Sequence, residues 1–363
     1  MTAELSSGSV RASEHRYSLD LLRFFMAVGI AIYHFNGAFP FQVPALNTLI
    51  YSGGTLLADL FFFLSGCVMA LREERTAESS FPRFFLSRAL RVFPVYWVVL
   101  SVHAVICALG GEPIGLARFV SNMLLLPYIL EDKRGIIDPP MWFLVVLLLC
   151  WWLFWLILFF TRRRGKNPVP VYFLLLVAGL TARLQIEPFS VISEPMTRGI
   201  VGFFGGCLLA HLDGVFHGKK AAVTGLAVLV FVGIIALLFP VTADSGYMIC
   251  ILLLFPGLLL FLLNGSFPEN LLRNRFVRFL GGTAYAIFVL NAPVLSYEHG
   301  IIDDALSSGN GSVWTMLLID LAILVLLAAL VHRFLERPLT VFFTKAVQKL
   351  AAAGRAEGVR HDS

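Results

Sequence analysis

Charged residues are scarce in this chain of 363 amino acids. Asp, Glu, Lys and Arg together make up 14% of the sequence, whereas soluble domains contain about 25%. Apolar residues make up 58%, the mean hydropathy is +0.82, and apolar runs recur along the whole chain. Runs of about 18 or more apolar residues can cross a bilayer as helices, so the sequence predicts a polytopic membrane protein.

Several other features are lacking as well. The five cysteines form no CxxC pair and lie in or beside apolar segments, which is typical of small buried side chains and excludes a disulfide framework. The chain has no low-complexity region and no obvious internal repeat. Its net charge of +5 comes from short basic clusters between apolar runs, so a nucleic-acid partner is not predicted. The sequence also predicts no metal site.

The apolar runs predict an all-α polytopic membrane protein, a bundle of about ten transmembrane helices with both termini cytoplasmic. Loops after even-numbered segments hold fourteen basic residues, whereas loops after odd-numbered segments hold three. Because cytoplasmic loops are the basic ones, this alternation sets the orientation. The predicted segments are 18–38, 49–71, 88–109, 141–161, 168–185, 197–213, 221–240, 246–264, 279–297 and 313–341.

Three regions follow from this pattern. Residues 1–17 are predicted to be a cytoplasmic N-terminal segment, 18–345 an integral membrane domain, and 346–363 a disordered cytoplasmic tail. The first apolar run continues to His34 without a small-residue cleavage site, so it is interpreted as a retained helix rather than a signal peptide. The long outward segment 110–140 is a candidate functional loop. Its stretch Leu116–Leu130 is expected to form a short interfacial or re-entrant helix.

The first membrane segment carries two ionisable side chains on one face, and each is energetically unfavourable inside a bilayer. Arg23 and His34 are eleven residues apart, which corresponds to about 20° from three full helical turns and a rise of roughly 16 Å. Ionisable groups in a bilayer usually face the interior of a helix bundle. The spacing therefore predicts a polar track through the membrane, in which Asp20 can pair with Arg23.

Function is expected of His34 because histidine titrates near neutrality and can act as a general base. Asp59 on the next segment is predicted to fix its tautomer. Arg88 and Arg91, three residues apart, suit phosphate binding, although anchoring at the cytoplasmic surface would also explain them. The pair Ser65-Gly66 is interpreted as close helix packing rather than as a nucleophile.

Five motifs in this order resemble the membrane-bound acyltransferase family 3, which includes O-acetyltransferases of bacterial surface polysaccharides. The resemblance covers nearly the whole chain. The motifs are Arg-x10-His at 23–34, GG at 53–54 with Asp59 and FFFLSG at 61–66, the Arg-x-x-Arg stretch at 84–97, PMWFL at 140–144, and LG with Tyr285 followed by RFLERP at 333–338.

The resemblance implies an integral membrane O-acyltransferase of the bacterial cytoplasmic membrane. Its donor would be cytoplasmic acyl-CoA, with acetyl-CoA favoured, and its acceptor a hydroxyl of a cell-surface or lipid-linked saccharide. The predicted catalytic residues are His34, Arg23 and Asp59. Glu336 is alternatively interpreted as an ion-pair partner of Arg88, Arg91 or Arg333. The predicted donor-binding residues are Arg88, Arg91, Tyr96, Trp142, Arg333 and Glu336.

Two positions depart from the family pattern. Leu147 stands where many members carry glutamate, and Asn291 where many carry histidine, so a different acceptor or acyl group is expected. A transporter of a small anion or glycan-related solute remains an alternative, although the inverted repeats and broken helices that would support it are not evident. A non-catalytic scaffold of envelope assembly is the third interpretation.

Overall fold

The structure is a computed structural model that describes residues 15–73, 76, 80–130, 132, 134–185, 193–216, 220–237, 243–263 and 269–345. Most of the predicted N-terminal segment, the predicted tail and three of the loop cations (Arg75, Lys133 and Lys219) lie outside these residues. The described part of the chain contains helices and no strands, as the all-α prediction requires.

The described helices are numbered in chain order. A 3-10 turn at Pro139–Met141 leads into α6, a π-helix at Cys250–Leu254 joins α10 to α11, and a π-helix at His332–Glu336 follows α14. The helices are α1 (Tyr17–Ala38), α2 (Pro44–Ala70), α3 (Phe81–Leu109), α4 (Leu116–Met123), α5 (Leu126–Ile129), α6 (Trp142–Arg162), α7 (Val169–Gln185), α8 (Glu194–Phe216), α9 (Lys220–Leu237), α10 (Ala243–Ile249), α11 (Phe255–Leu263), α12 (Glu269–Leu272), α13 (Arg275–Ser307) and α14 (Val313–Val331).

Every predicted membrane segment overlaps one of these helices, and the chain is a membrane protein. Seven helical stretches among the described residues are long and apolar enough to cross a bilayer. The count of ten crossings and the cytoplasmic position of the termini stay predictions. The seven stretches are Tyr17–Ala38, Pro44–Ala70, Phe81–Leu109, Pro139–Arg162, Gly246–Leu263, Arg275–Ser307 and Val313–Lys345.

Helices α2 and α8 pack at backbone contact in the centre of the bundle. A Cβ atom on Gly66 would overlap the carbonyl group of Phe203, and one on Gly206 would overlap the carbonyl group of Phe63. Small residues allow this approach between membrane helices. The interpretation of Gly66 as a packing residue is therefore confirmed.

This contact predicts a strong and local effect of an added methyl group. We expect Gly206→Ala to push α2 and α8 apart and to lower the free energy of unfolding by about 1–3 kcal/mol, because overpacking a tight backbone contact is destabilising. The matched control is Gly225→Ala on α9, where a Cβ would meet nothing within 4 Å. Thermal unfolding in detergent measures both, and equal melting temperatures would contradict the described packing.

Helix α1 lies against α13 and α14 through small side chains. Ala27 and Ala31 of α1 share a buried cluster with Ala284 and Ala286 of α13 and Ala328 of α14. Contacts run from the Asp20 end of α1, where Gly281 meets Asp20, to its other end, where the tilted rings of Phe39 and His299 lie 4.9 Å apart between centroids. Helices α1 and α13 are therefore parallel, and Arg23 and His34 occupy opposite ends of their interface.

Candidate functional site

A large cavity opens at the Arg23 end of α1. Its volume is about 920 Å³, and its wall is formed by α1, α2, α3, α6, α13 and the π-helix after α14. We call it the arginine cavity, after the guanidinium groups that line it. These belong to Arg23, Arg91, Arg275, Arg278 and Arg337.

The two carboxylates of the arginine cavity are already occupied. Asp20 accepts a hydrogen bond from Arg23 at 3.1 Å and lies 2.6 Å from a ring nitrogen of His15. Glu336 lies 3.0 Å from Nδ1 of His332. The predicted Asp20–Arg23 pair is thus confirmed. Five arginines against two engaged carboxylates leave an excess of positive charge, which suits a ligand that carries several phosphate groups.

A smaller side cavity of about 410 Å³ adjoins this one and shares Arg23 and Arg91 with it. Arg88 lines only the side cavity, where its Nη1 donates to the Phe84 carbonyl at 2.9 Å and its guanidinium lies over the Phe84 ring. Arg91 therefore faces both spaces, whereas Arg88 is partly engaged by its own helix.

A third cavity lies at the other end of α1. Its volume is about 380 Å³, and we call it the histidine cavity because His34, His103 and His299 line it together with Asp138 and Ser296. The imidazole of His34 forms no hydrogen bond with any described residue and packs edge-on against Tyr33. Its ring nitrogens are therefore available to a ligand, as a general base requires.

A partition about one helical turn thick lies between the residues that line the arginine cavity and those that line the histidine cavity. On α13, Phe288 lines the arginine cavity and Ala292 lines the histidine cavity. Phe143 on α6 lines the arginine cavity, and Pro140 in the 3-10 turn before α6 lines the histidine cavity. Four residues of helix span about 6 Å. The predicted continuous polar track is therefore divided in two. The buried side chains of the partition are Val95, Tyr96, Met141 and Val289.

The predicted contact between Asp59 and His34 is wrong. Asp59 is 1% exposed, and its two carboxylate oxygens accept hydrogen bonds from Nε and Nη2 of Arg198 on α8 at 2.9 and 3.1 Å. Arg198 also donates to the Thr55 carbonyl at 2.6 Å. Because α8 packs against α2 so closely, Arg198 reaches Asp59 first, and the carboxylate serves to join these two helices.

This buried ion pair yields a testable prediction about stability. We expect Asp59→Ala to lower the free energy of unfolding by about 3–5 kcal/mol, because it leaves the Arg198 charge buried and unpaired. The double variant Asp59→Leu/Arg198→Met removes both charges and is expected to recover much of that loss. Thermal unfolding in detergent measures the series, and a double variant as unstable as the single one would contradict a purely structural role of the pair.

Two predicted donor-binding aromatic residues, Tyr96 and Trp142, line none of the three cavities. The Tyr96 hydroxyl donates to the carbonyl of Asn122 at 2.8 Å, which fixes the buried phenol within the partition. Trp142 packs against Phe62 and lies beneath the guanidinium of Arg198, 5.4 Å from the ring centroid. Tyr96 belongs to the Arg-x-x-Arg motif and Trp142 to the PMWFL motif, and both rings make packing contacts here; their role in donor binding stays a prediction.

The motif near the chain end is divided between the arginine cavity and the protein surface. Glu336 lines the arginine cavity but pairs with His332 instead of the predicted arginines, because a histidine four residues earlier lies on the same helix face. Arg333 is exposed, with its guanidinium 5.8 Å from the centroid of the Phe334 ring. Arg337 lines the cavity in its place.

The two departures from the family pattern occupy different environments. Leu147 lines the arginine cavity and contributes apolar wall there. Asn291 is 2% exposed, and its Nδ2 has no hydrogen-bond partner among the described residues. Neither position carries an acid or base in this chain, so proton transfer falls to other residues.

Sequence reasoning missed several residues of the site. Arg275 and Arg278 resemble ordinary loop cations in the sequence, although their spacing places both on one helix face. His332 lies four residues before Glu336, a spacing that indicates an i,i+4 pair. Distant partners such as Arg198 offered no local signal. The missed residues are His15, Asp138, Arg198, Arg275, Arg278, His332 and Arg337.

Asp138 is the most unusual group of the histidine cavity. It precedes the 3-10 turn before α6, is 4% exposed, and its Oδ1 has no partner among the described residues. Burial raises the pKa of the Asp138 carboxyl from 3.8 to about 8. At neutral pH the group is therefore mostly protonated and can both donate and accept a hydrogen bond.

The raised pKa of Asp138 predicts how stability depends on pH. A carboxyl whose folded pKa lies above its unfolded pKa contributes stability that is complete below about pH 4 and is lost as the pH rises through 8. Between about pH 4 and pH 8, the free energy of unfolding of the wild type should fall by up to about 1.4 kcal/mol per pH unit relative to that of Asp138→Asn. Thermal unfolding at several pH values tests this, and parallel pH curves for the two proteins would contradict it.

One protein family matches a range that includes every residue lining the three cavities except His15. A family model described as an acyltransferase domain matches residues 16–340. Comparisons with curated proteins and with solved structures gave no significant match. The matched range includes both ends of α1, the five arginines of the arginine cavity and Asp138.

Proposed function

The chain belongs to acyltransferase family 3 and is a membrane acyltransferase, and we propose that it transfers an acetyl group from acyl-CoA to a hydroxyl of a saccharide. Family membership favours an enzyme over the transporter and the scaffold. The observation that carries the proposal is the pair of cavities at opposite ends of α1, one rich in arginine and one containing a histidine that is free of described partners.

Acyl-CoA fits the arginine cavity by charge. The nucleotide part of CoA carries several phosphate groups, and guanidinium groups bind phosphate with two parallel hydrogen bonds. Arg91 faces both the arginine cavity and the side cavity, and Arg275, Arg278 and Arg337 lie across from it in the former. The donor's headgroup would sit among these residues, while Arg23 lies nearest to the start of the path toward His34.

The acyl end must then pass the partition to meet the acceptor. The partition is one turn thick and contains Met141, whose unbranched side chain changes rotamer easily. A linear thioester arm needs only a narrow opening, whereas the headgroup stays behind with the arginines. The partition would thereby keep water from the thioester until an acceptor is bound.

His34 supplies the base. It takes the proton from the acceptor hydroxyl while the acceptor oxygen forms a bond to the thioester carbonyl carbon. The carbon–sulfur bond breaks, the electron pair leaves on the CoA sulfur, and the proton passes from His34 to that thiolate. General-base catalysis of this kind contributes about 10²–10⁴-fold to a rate. Arg23 would position the donor rather than exchange protons.

The cellular placement follows from the predicted orientation. We place the protein in a bacterial cytoplasmic membrane with the arginine cavity toward the cytoplasm, where acyl-CoA is made, and the histidine cavity toward the outer face. Lipid-linked or surface saccharides would reach His34 from that side. The acceptor is thus modified without crossing the membrane.

Binding and cellular measurements test this function together. Purified protein should bind radiolabelled acetyl-CoA, and free CoA should compete with it because most of the charge lies in the headgroup. Mass spectrometry of surface glycans from cells with and without the protein should show acetyl groups only in the former. A folded protein that binds no acetyl-CoA, together with unchanged glycans, would overturn the proposal.

A further inference from the structure

The histidine cavity contains a carboxyl group that the fold positions but does not satisfy. Asp138 lines the same cavity as His34, is almost fully buried, and leaves Oδ1 without a hydrogen-bond partner among the described residues. Buried polar atoms are nearly always paired in folded proteins, and an unpaired one is costly. Such a group calls for a ligand that supplies the missing partner.

The backbone around Asp138 is firmly fixed. Asn122, fully buried on α4, accepts a hydrogen bond from the Ile137 amide at 3.0 Å and donates to the Gly135 carbonyl at 2.8 Å. The Asp138 carbonyl itself accepts from the Tyr128 hydroxyl and from the Met141 amide. These bonds hold the backbone of the loop and do not involve the Asp138 carboxyl, whose Oδ1 has no partner among the described residues.

We propose that Asp138 is a binding residue for the acceptor: its carboxyl hydrogen-bonds one hydroxyl of a neutral sugar residue and holds a neighbouring hydroxyl at His34. This inference rests on the proposed function. It turns the histidine cavity into a two-point site, with His34 for the reacting hydroxyl and Asp138 for the adjacent one. A rigid second contact fixes the orientation that acyl transfer requires.

The cavity also indicates the class of sugar. Its volume of about 380 Å³ lies near the lower end of the roughly 300–1,000 Å³ typical of small-molecule pockets, which suits one sugar residue at a time. Among the described residues that line it there is no arginine or lysine. Without an arginine or lysine among these lining residues to pair with an anionic group, the site favours neutral hexosides over uronic acids or phosphorylated sugars.

The protonation state of Asp138 determines the best substitutions. Burial raises the pKa of this carboxyl to about 8, so near pH 7 it both donates and accepts, and asparagine can do the same. Alanine can do neither. The other titratable groups that line the cavity or interact with Asp138 are His34, His103, His299, Tyr96, Tyr128 and Tyr285.

The test is acetyl transfer from radiolabelled acetyl-CoA to methyl glucoside, methyl galactoside and methyl glucuronide by purified full-length protein. We expect Asp138→Ala to raise the KM for a neutral hexoside at least tenfold, while Asp138→Asn stays within about threefold of wild type. Above pH 8 the wild-type KM should rise, whereas that of Asp138→Asn should not. Asp304→Ala, an exposed carboxyl at the end of α13, is the matched control and should leave the KM unchanged.

The outcomes separate this inference from the proposed function. Absence of acetyl-CoA binding by the wild type would overturn the function itself. Normal acetyl-CoA binding and hexoside transfer by Asp138→Ala would overturn only the role of Asp138. Acetylation of the glucuronide alone, or of none of the sugars by a wild type that binds acetyl-CoA, would overturn the assignment to neutral hexosides.

Discussion

Replacing His34 by alanine is expected to lower the rate of acetyl transfer by about 10²–10⁴-fold, because the reacting hydroxyl loses its general base. Binding of acetyl-CoA should change little, since His34 lies across the partition from the arginine cavity. The measurement is kcat for transfer from radiolabelled acetyl-CoA, alongside equilibrium binding of the same donor by the variant.

The neighbouring residue provides the control for this prediction. Tyr33 precedes His34 on α1, and its ring instead packs toward α2 against Tyr51 and Gly54. Tyr33→Phe should therefore transfer acetyl groups at nearly the wild-type rate. If His34→Ala retained wild-type kcat in a protein that unfolds at the normal temperature, the base would have to be another group.

Replacing Arg91 by alanine should weaken acetyl-CoA binding by about ten- to a hundredfold, because a hydrogen bond to a charged group contributes about 1.5–3 kcal/mol. Arg91 faces both the arginine cavity and the side cavity, so the effect should exceed that of Arg88→Ala, whose guanidinium is partly engaged by Phe84. Increasing ionic strength should reduce the difference between wild type and Arg91→Ala, since salt screens the charges.

Two other arginines serve as controls for charge alone. Arg333 is exposed and stacks on Phe334 outside the cavity, and Arg163 lies over Phe159 at the end of α6. Alanine at either position removes the same formal charge and should leave the dissociation constant within about twofold. Comparable losses at Arg91, Arg163 and Arg333 would show that the net charge of this end of the bundle, and not a built site, attracts the donor.

The elements of the fold could be predicted because they depend on local sequence. Apolar runs determine the positions of membrane helices, and the spacing of Asp20 and Arg23 places both side chains on one face. Every predicted segment overlaps a helix of the structure. The boundaries differ by several residues, as at α13, because polar residues at helix ends extend beyond the apolar core.

The arrangement of the site could be predicted only in part. Asp59 and Arg198 are 139 residues apart in sequence, and only the close approach of α2 and α8 brings them together. The partition likewise depends on how α3, α6 and α13 meet, which no local pattern reveals. Asp138 escaped notice because a carboxylate in a loop normally faces water, whereas here the fold buries it.

We propose that donor and acceptor enter from opposite ends of α1. Sealed proteoliposomes test this, with orientation determined by access of an impermeant thiol reagent to Arg163→Cys at the arginine end. We expect acetyl transfer to methyl glucoside only when acetyl-CoA is on the side of the arginine cavity and the sugar is on the opposite side. Equal transfer with both substrates on one side would contradict the two-cavity account.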